Sequence, residues 1–166
     1  IDILQMREKT LPKQDKLTLG KKLSTLCKVN TIVFIVNDDP DIAKAVDADG
    51  VHLGQEDLEK NPVEKVREIL GPNKIIGVST HSLAQVEKAN KLNIDYIGFG
   101  PIFTTKTKSY SIGTKYISQA LRVSRFPVVC VGGINTSNIS EILSKGVKNI
   151  ALIRKRCLLL LNIIEL

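Results

Sequence analysis

The chain has 166 residues, 43% hydrophobic and 25% charged, a balance that fits one globular domain with a sizeable core. Disorder, collagen and a coiled coil are excluded as the main state. The net charge is +7, which reads either as a lysine-rich solvated surface or as a surface for an anionic ligand: phosphate, diphosphate or nucleic acid.

Short β-branched runs alternate with lysine-rich amphipathic stretches. In chain order, strands are predicted near 1–6, 31–36, 48–53, 75–79, 95–99, 127–131 and 149–153. Helices are predicted between them near 13–28, 40–46, 62–70, 82–92, 114–124 and 137–145, and a last one near 155–164. The chain opens on Ile1-Asp2-Ile3-Leu4-Gln5-Met6, already strand-like and without an initiator Met. The numbering is therefore expected to start inside a longer protein or to lack its start; no secretory signal is visible. Asn61 before Pro62, Thr80 or His81 before Ser82, and Thr136 before Ser137 are expected helix starts. Leu70-Gly71-Pro72 and Lys145-Gly146 are expected stops. The apolar run Cys157 to Leu161 is far short of the roughly 20 residues a bilayer span needs. Cys27, Cys130 and Cys157 fit neither a metal site nor a disulfide framework, so the chain reads as reduced and cytoplasmic, with Cys130 a buried thiol.

Runs such as Thr31-Ile32-Val33-Phe34-Ile35-Val36 are apolar on both faces, the pattern of a parallel sheet covered by helices. Seven βα units suit a doubly wound sheet or most of a (β/α)8 barrel. A polar or glycine cluster follows nearly every strand, which favours the barrel, where all loops converge on one mouth. Gly98-Phe99-Gly100 is only a fragment of a dinucleotide fingerprint. The expected fold is therefore a single TIM-type α/β barrel domain over 1–166, one unit short, with the first unit absent.

Several clusters offer phosphate chemistry. Gln5, Arg7 and Lys9 alternate along an extended segment and would share one face; the plainer alternative is an exposed basic loop. Asn37-Asp38 and Glu56-Asp57 place carboxylates at neighbouring strand ends, suited to a shared divalent ion, or simply to helix caps. The loop Pro101 to Lys108 carries three Thr and two Lys suited to diphosphate, or is a solvated loop. Gly132-Gly133 would expose backbone N–H groups to an anion. His52 reads as a core residue and His81 as a helix cap.

In order, Gln5-x-Arg7-x-Lys9, Asn37-Asp38, the run Ala48 to Asp57, Gly77-Val78-Ser79, Asp95 to Pro101, Thr105-Lys106-Thr107-Lys108 and Gly132-Gly133-Ile134 resemble the thiamine phosphate synthase family. The resemblance runs from Ile1 to about Ile153, and the stretch Ala48 to Asp57 is its most specific part. It implies a (β/α)8 barrel transferase that joins hydroxymethylpyrimidine diphosphate to thiazole phosphate, releasing diphosphate in an Mg2+-dependent, dissociative substitution. By matching position, Gln5, Arg7, Lys9 and Asn37 would hold the pyrimidine substrate and Asp38 and Asp57 would ligate Mg2+. Ser79 and Lys108 would contact the leaving diphosphate; Thr105, Thr107 and Gly133 would hold the thiazole phosphate. Arg7, Lys9, Ser79 and Lys108 form the implied catalytic set.

Two departures stand out. The family's first unit is absent, so the chain is expected to be unstable, inactive or paired with another copy. After Ile153, where the family places a serine that helps bind phosphate, this chain has Arg154, which replaces or blocks that contact. The alternatives are a thiazole tautomerase-like barrel, a non-catalytic phosphate- or partner-binding remnant and, on charge alone, a nucleic-acid binder. The resemblance itself implies small phosphorylated substrates, with neither nucleic acid nor membrane as partner.

Overall fold

The computed structural model describes residues 1–105 and 110–152. The predicted last helix, Thr107, Lys108, Ile153, Arg154 and Cys157 lie outside the described residues. Among the described residues seven strands follow one another in chain order in one sheet. They are β1 (Ile3–Met6), β2 (Val33–Asn37), β3 (Gly50–Leu53), β4 (Ile75–Thr80), β5 (Tyr96–Phe99), β6 (Val128–Val131) and β7 (Asn149–Ala151). The seven described helices are α1 (Lys13–Val29), α2 (Pro40–Ala45), α3 (Gln55–Lys60), α4 (Val63–Leu70), α5 (Leu83–Ala89), α6 (Ile117–Val123) and α7 (Ile139–Leu143). The expected alternation is present, each strand within about two residues of its predicted bounds. The chain forms two compact units, Ile1–Gly77 and Val78–Leu166, with β4 spanning the division.

In the first unit β1, β2 and β3 pair in parallel, with Met6 beside Val36 and Asn37 beside His52. Phe34, Ile35, Val36, Val51 and Leu53 are buried, as two-sided apolar runs require. Helix α1 packs on β2 and α2, and α2 packs on α4. Gly71 ends α4 at φ 90° with its N–H on the Arg67 carbonyl, the expected stop. In the second unit β5, β6 and β7 pair in parallel and α5 packs on α6. Ile97, Phe99, Ile117, Ala120 and Cys130 form its buried centre.

Some local expectations are corrected. Helix α3 is new: it buries no residue, so it carries no apolar periodicity. Asn61 closes α3 instead of opening α4. Ser82, not Thr80 or His81, caps α5, its hydroxyl accepting from Gln85 N–H. Thr80 is a buried strand residue whose hydroxyl donates to the Gly98 carbonyl. Asn138, not Thr136, precedes α7.

Candidate active site

The first unit gathers charge at the ends of β1, β2 and β3. Strand β1 stops at Met6, so Arg7 and Lys9 lie just beyond it, and Gln5, Arg7 and Lys9 are all exposed. Glu8 folds the turn that follows, its carboxylate accepting from the Thr10 N–H and hydroxyl, both at 2.7 Å. Lys9 Nζ ends 4.0 Å from Asp38 Oδ2. Asp38 is held by its own N–H on the His52 carbonyl, in the left-handed region at φ 68°. Aspartate tolerates that conformation better than most residues. Asp39, beside it, caps α2 by accepting from Ile42 N–H at 2.9 Å. The capping alternative therefore holds for Asp39 and, through the Gly54 N–H that its carboxylate accepts at the start of α3, for Asp57, while Asp38 is left for other chemistry.

Asp57 comes from the first turn of α3, its carboxylate accepting the Gly54 N–H. A Cβ on Gly54 would sit 2.8 Å from Asp57 Oδ2 and 3.9 Å from Asp38 Oδ1, so both acids close on this glycine. Burial, then a hydrogen bond with Asp57 and its charge, push Asp38 up to about 6, while Lys9 and Arg7 pull the other way. Two half-sheltered carboxylates side by side form a site that a cation would relieve. Among the described residues no three metal-ligating side chains gather. Two carboxylates nonetheless fit Mg2+, which takes one or two from protein and fills its shell with waters and phosphate oxygens. A cavity of about 300 Å³ reaches Asp38, lined also by Lys9, Lys16 and Asn37 among others. Gln5 is exposed on β1.

The second unit carries the other candidates. Ser79 is half-buried on β4 and Thr105 is half-buried after β5. Gly132 and Gly133 follow β6 at φ 100° and 67°, both left-handed, the conformation that favours glycine. The Gly133 carbonyl accepts from the Asn135 and Asn138 side-chain amides at 3.2 and 3.0 Å. Asn135 belongs to the polar and glycine cluster that follows β6 in the sequence, while Asn138 lies beyond it; Asn at short spacing after a Gly-Gly turn is the signal for both. His81 is not a cap: its ring Nδ1 hydrogen-bonds the Gly100 carbonyl. His52 is 8% exposed, the core residue expected, and burial lowers its pKa to about 4. Cys130 is buried as expected, its thiol pushed up to about 12.

The shifts of His52 and Asp38 give opposite pH effects. His52 stays neutral in the fold while the unfolded chain takes its proton near pH 6.5, so its contribution is full above 6.5 and is lost as pH falls towards 4. Asp38 binds its proton more tightly in the fold, so its contribution is full below the ordinary value of 3.8 and is lost as pH rises through about 6. Between pH 6 and 4 the two offset. Asp38→Asn removes one side, and its stability is expected to fall more steeply with acid than the parent's, by up to about 1.4 kcal/mol per pH unit, with a correspondingly steeper fall in melting temperature. Parallel pH–melting curves contradict this.

Parallel βα units with charged side chains at the strand ends define an α/β enzyme fold of the TIM-barrel type. The chain belongs to the thiamine monophosphate synthase family, whose model matches residues 1–155, running through both units. A thiamine-phosphate synthase of Pelotomaculum thermopropionicum is 46% identical over 156 residues, covering 92% of this chain and 70% of that protein. One from Prochlorococcus marinus is 42% identical over 155 residues, covering 92% of this chain but 44% of that protein. Among solved structures, a thiamine phosphate pyrophosphorylase from Pyrococcus furiosus superposes with TM-score 0.82 at 40% identity, covering 91% of this chain and 72% of that one. A tryptophan synthase α-subunit from the same organism matches at TM-score 0.62 and 13% identity over 85% of this chain and 62% of that one, a likeness of fold alone. The family is one of transferases in thiamine biosynthesis. Among the described residues no helix is long and apolar enough to cross a membrane.

Proposed function

We propose that this chain joins hydroxymethylpyrimidine diphosphate to thiazole phosphate, forming thiamine phosphate and releasing diphosphate. The observation that carries the reading is the Asp38–Asp57 pair flanked by Arg7 and Lys9. Acid beside cation suits a metal-bound diphosphate better than either metal or phosphate alone. Asp38 and Asp57 would hold Mg2+, which when bound supplies positive charge to the diphosphate oxygens.

The chain's own groups do the rest. Gln5 and Asn37 orient the pyrimidine. Arg7 and Lys9, with Ser79 and Lys108, take up negative charge as the carbon–oxygen bond breaks and both its electrons leave with diphosphate. Thr105, Thr107 and the Gly133 backbone hold the thiazole phosphate, and Ile153 and Arg154 extend that set. The thiazole nitrogen brings its own lone pair to the pyrimidine cation, so no general base is required. The tautomerase alternative needs no acid pair at this position and is less well supported. The two buried free thiols, Cys27 and Cys130, suit a reducing compartment, the cytoplasm.

Thermal shift tests the ligand class. Mg2+ with diphosphate at about 100 times its dissociation constant is expected to raise the melting temperature by roughly 5–10 °C. Diphosphate with chelator is expected to do much less, and RNA nothing. Stabilisation by RNA without any from Mg2+-diphosphate overturns the reading in favour of a nucleic-acid binder.

A further inference from the structure

In the second unit, the placement of the His81 ring goes unused in the reaction scheme. His81 follows β4, and its backbone N–H donates to Gln85 Oε1 at 2.6 Å while the next residue, Ser82, caps α5. The strand end and the cap together aim the ring. Its Nδ1 bonds the Gly100 carbonyl, and its plane meets the Tyr110 ring edge-on, with centroids 6.3 Å apart and planes at 83°. A carbonyl oxygen only accepts, so Nδ1 carries the hydrogen and a neutral ring keeps its lone pair on Nε2.

Gly100 begins a segment with little room to move. Ile102 N–H donates to the Val131 carbonyl at 2.9 Å and Phe103 N–H to the Gly132 carbonyl at 3.0 Å. A Cβ on Gly133 would lie 2.7 Å from Phe103 Cβ and from the Thr104 carbonyl oxygen. The return of the chain is tied to the same segment: Ile112 N–H donates to the Pro101 carbonyl at 2.9 Å and Gly113 N–H to the Ile102 carbonyl at 3.1 Å. His81 thus touches both Gly100, where the segment leaves β5, and Tyr110, where the chain comes back.

We infer that His81 is a positioning residue for the thiazole phosphate: it fixes the Gly100–Thr104 backbone against Gly133, and with it Thr105. The inference rests on the proposed role of Thr105 and Gly133. His81 acts through the Gly100 carbonyl and Tyr110 and not on the reacting atoms. It therefore governs how tightly one substrate is held, not how fast the bond breaks. The Nδ1–H is the essential part, and the aromatic contact holds the ring in line.

The test is steady-state kinetics with each substrate varied in turn. His81→Phe, which keeps a ring and removes the donor, is expected to raise KM for thiazole phosphate about tenfold with kcat within about twofold. KM for the pyrimidine diphosphate stays at the parent value, while loss of the donor to the buried Gly100 carbonyl lowers the melting temperature by roughly 2–10 °C. His81→Asn places an amide donor near the Nδ1 position and is expected to recover most of the loss. Tyr110→Ala shifts the same KM, Tyr110→Phe does not, and the double variant His81→Phe/Tyr110→Ala is no worse than the poorer single variant. Equal changes in both KM values, a loss confined to kcat, or additive losses in the double variant overturn the inference. The chain has two histidines, so a long-range 1H–15N spectrum reads the ring directly: Nδ1–H is expected for His81, and an Nε2–H tautomer overturns the inference without reference to turnover. Absence of any thiazole phosphate-dependent product from the folded parent brings down the proposed function itself, and the inference with it.

Discussion

Asp57→Ala is expected to lower Mg2+-dependent thiamine phosphate formation by about 10³-fold or more, with the fold intact. Asp57 contributes to the site from the first turn of a six-residue helix that buries nothing, so truncating it opens no core cavity. It also removes a charge that presses on Asp38. The metal-free variant is therefore expected to melt no lower than the parent near neutral pH, apart from the small cost of losing the Gly54 N–H contact. Loss of activity with retained melting temperature separates a metal-holding role from a structural one. Full activity in this variant sinks the metal assignment.

Gly50→Ala is expected to destabilise the chain by roughly 3–5 kcal/mol, with a fall in melting temperature of about 10 °C or failure to fold. Gly50 opens β3 and is buried. A Cβ there would stand 2.1 Å from the Ile75 carbonyl oxygen and 2.7 Å from Ile75 Cβ. Backbone on the far side cannot swing away as a side chain can, because Ile75 N–H is itself bound to the Asp49 carbonyl at 2.9 Å. Asp49 is fixed in turn, its carboxylate accepting Phe34 N–H and its N–H donating to the Phe34 carbonyl. The methyl therefore pushes on two strands at once. A Gly50→Ala chain that melts within about 2 °C of the parent contradicts this packing.

What could be read from the residues divides along physical lines. The strands were legible because each is a β-branched run covered on both faces, and such runs are short, apolar and bounded by turn residues. Helix α3 was not: Leu58 is its one apolar residue, and nothing in it is buried. Its composition did carry a signal, with Glu56 and Asp57 in the first turn and Lys60 in the last, which suits a helix dipole. Periodicity cannot register that. The acid pair was legible as two strand-end clusters, but only coordinates separate Asp38 from Asp39, which looks the same in sequence and is spent on a cap. His81 was read as a cap because it precedes a helix; its ring partner Gly100 lies 19 residues on, beyond the reach of local pattern.

The central claim is that the acid pair and its cations run a metal-dependent transfer. The most direct test is thiamine phosphate formation by this 166-residue chain, supplied with hydroxymethylpyrimidine diphosphate, thiazole phosphate and Mg2+, beside a matched sample with chelator. Product in the first and none in the second is the predicted result. Equal product in both, or no product from a folded sample, contradicts the account.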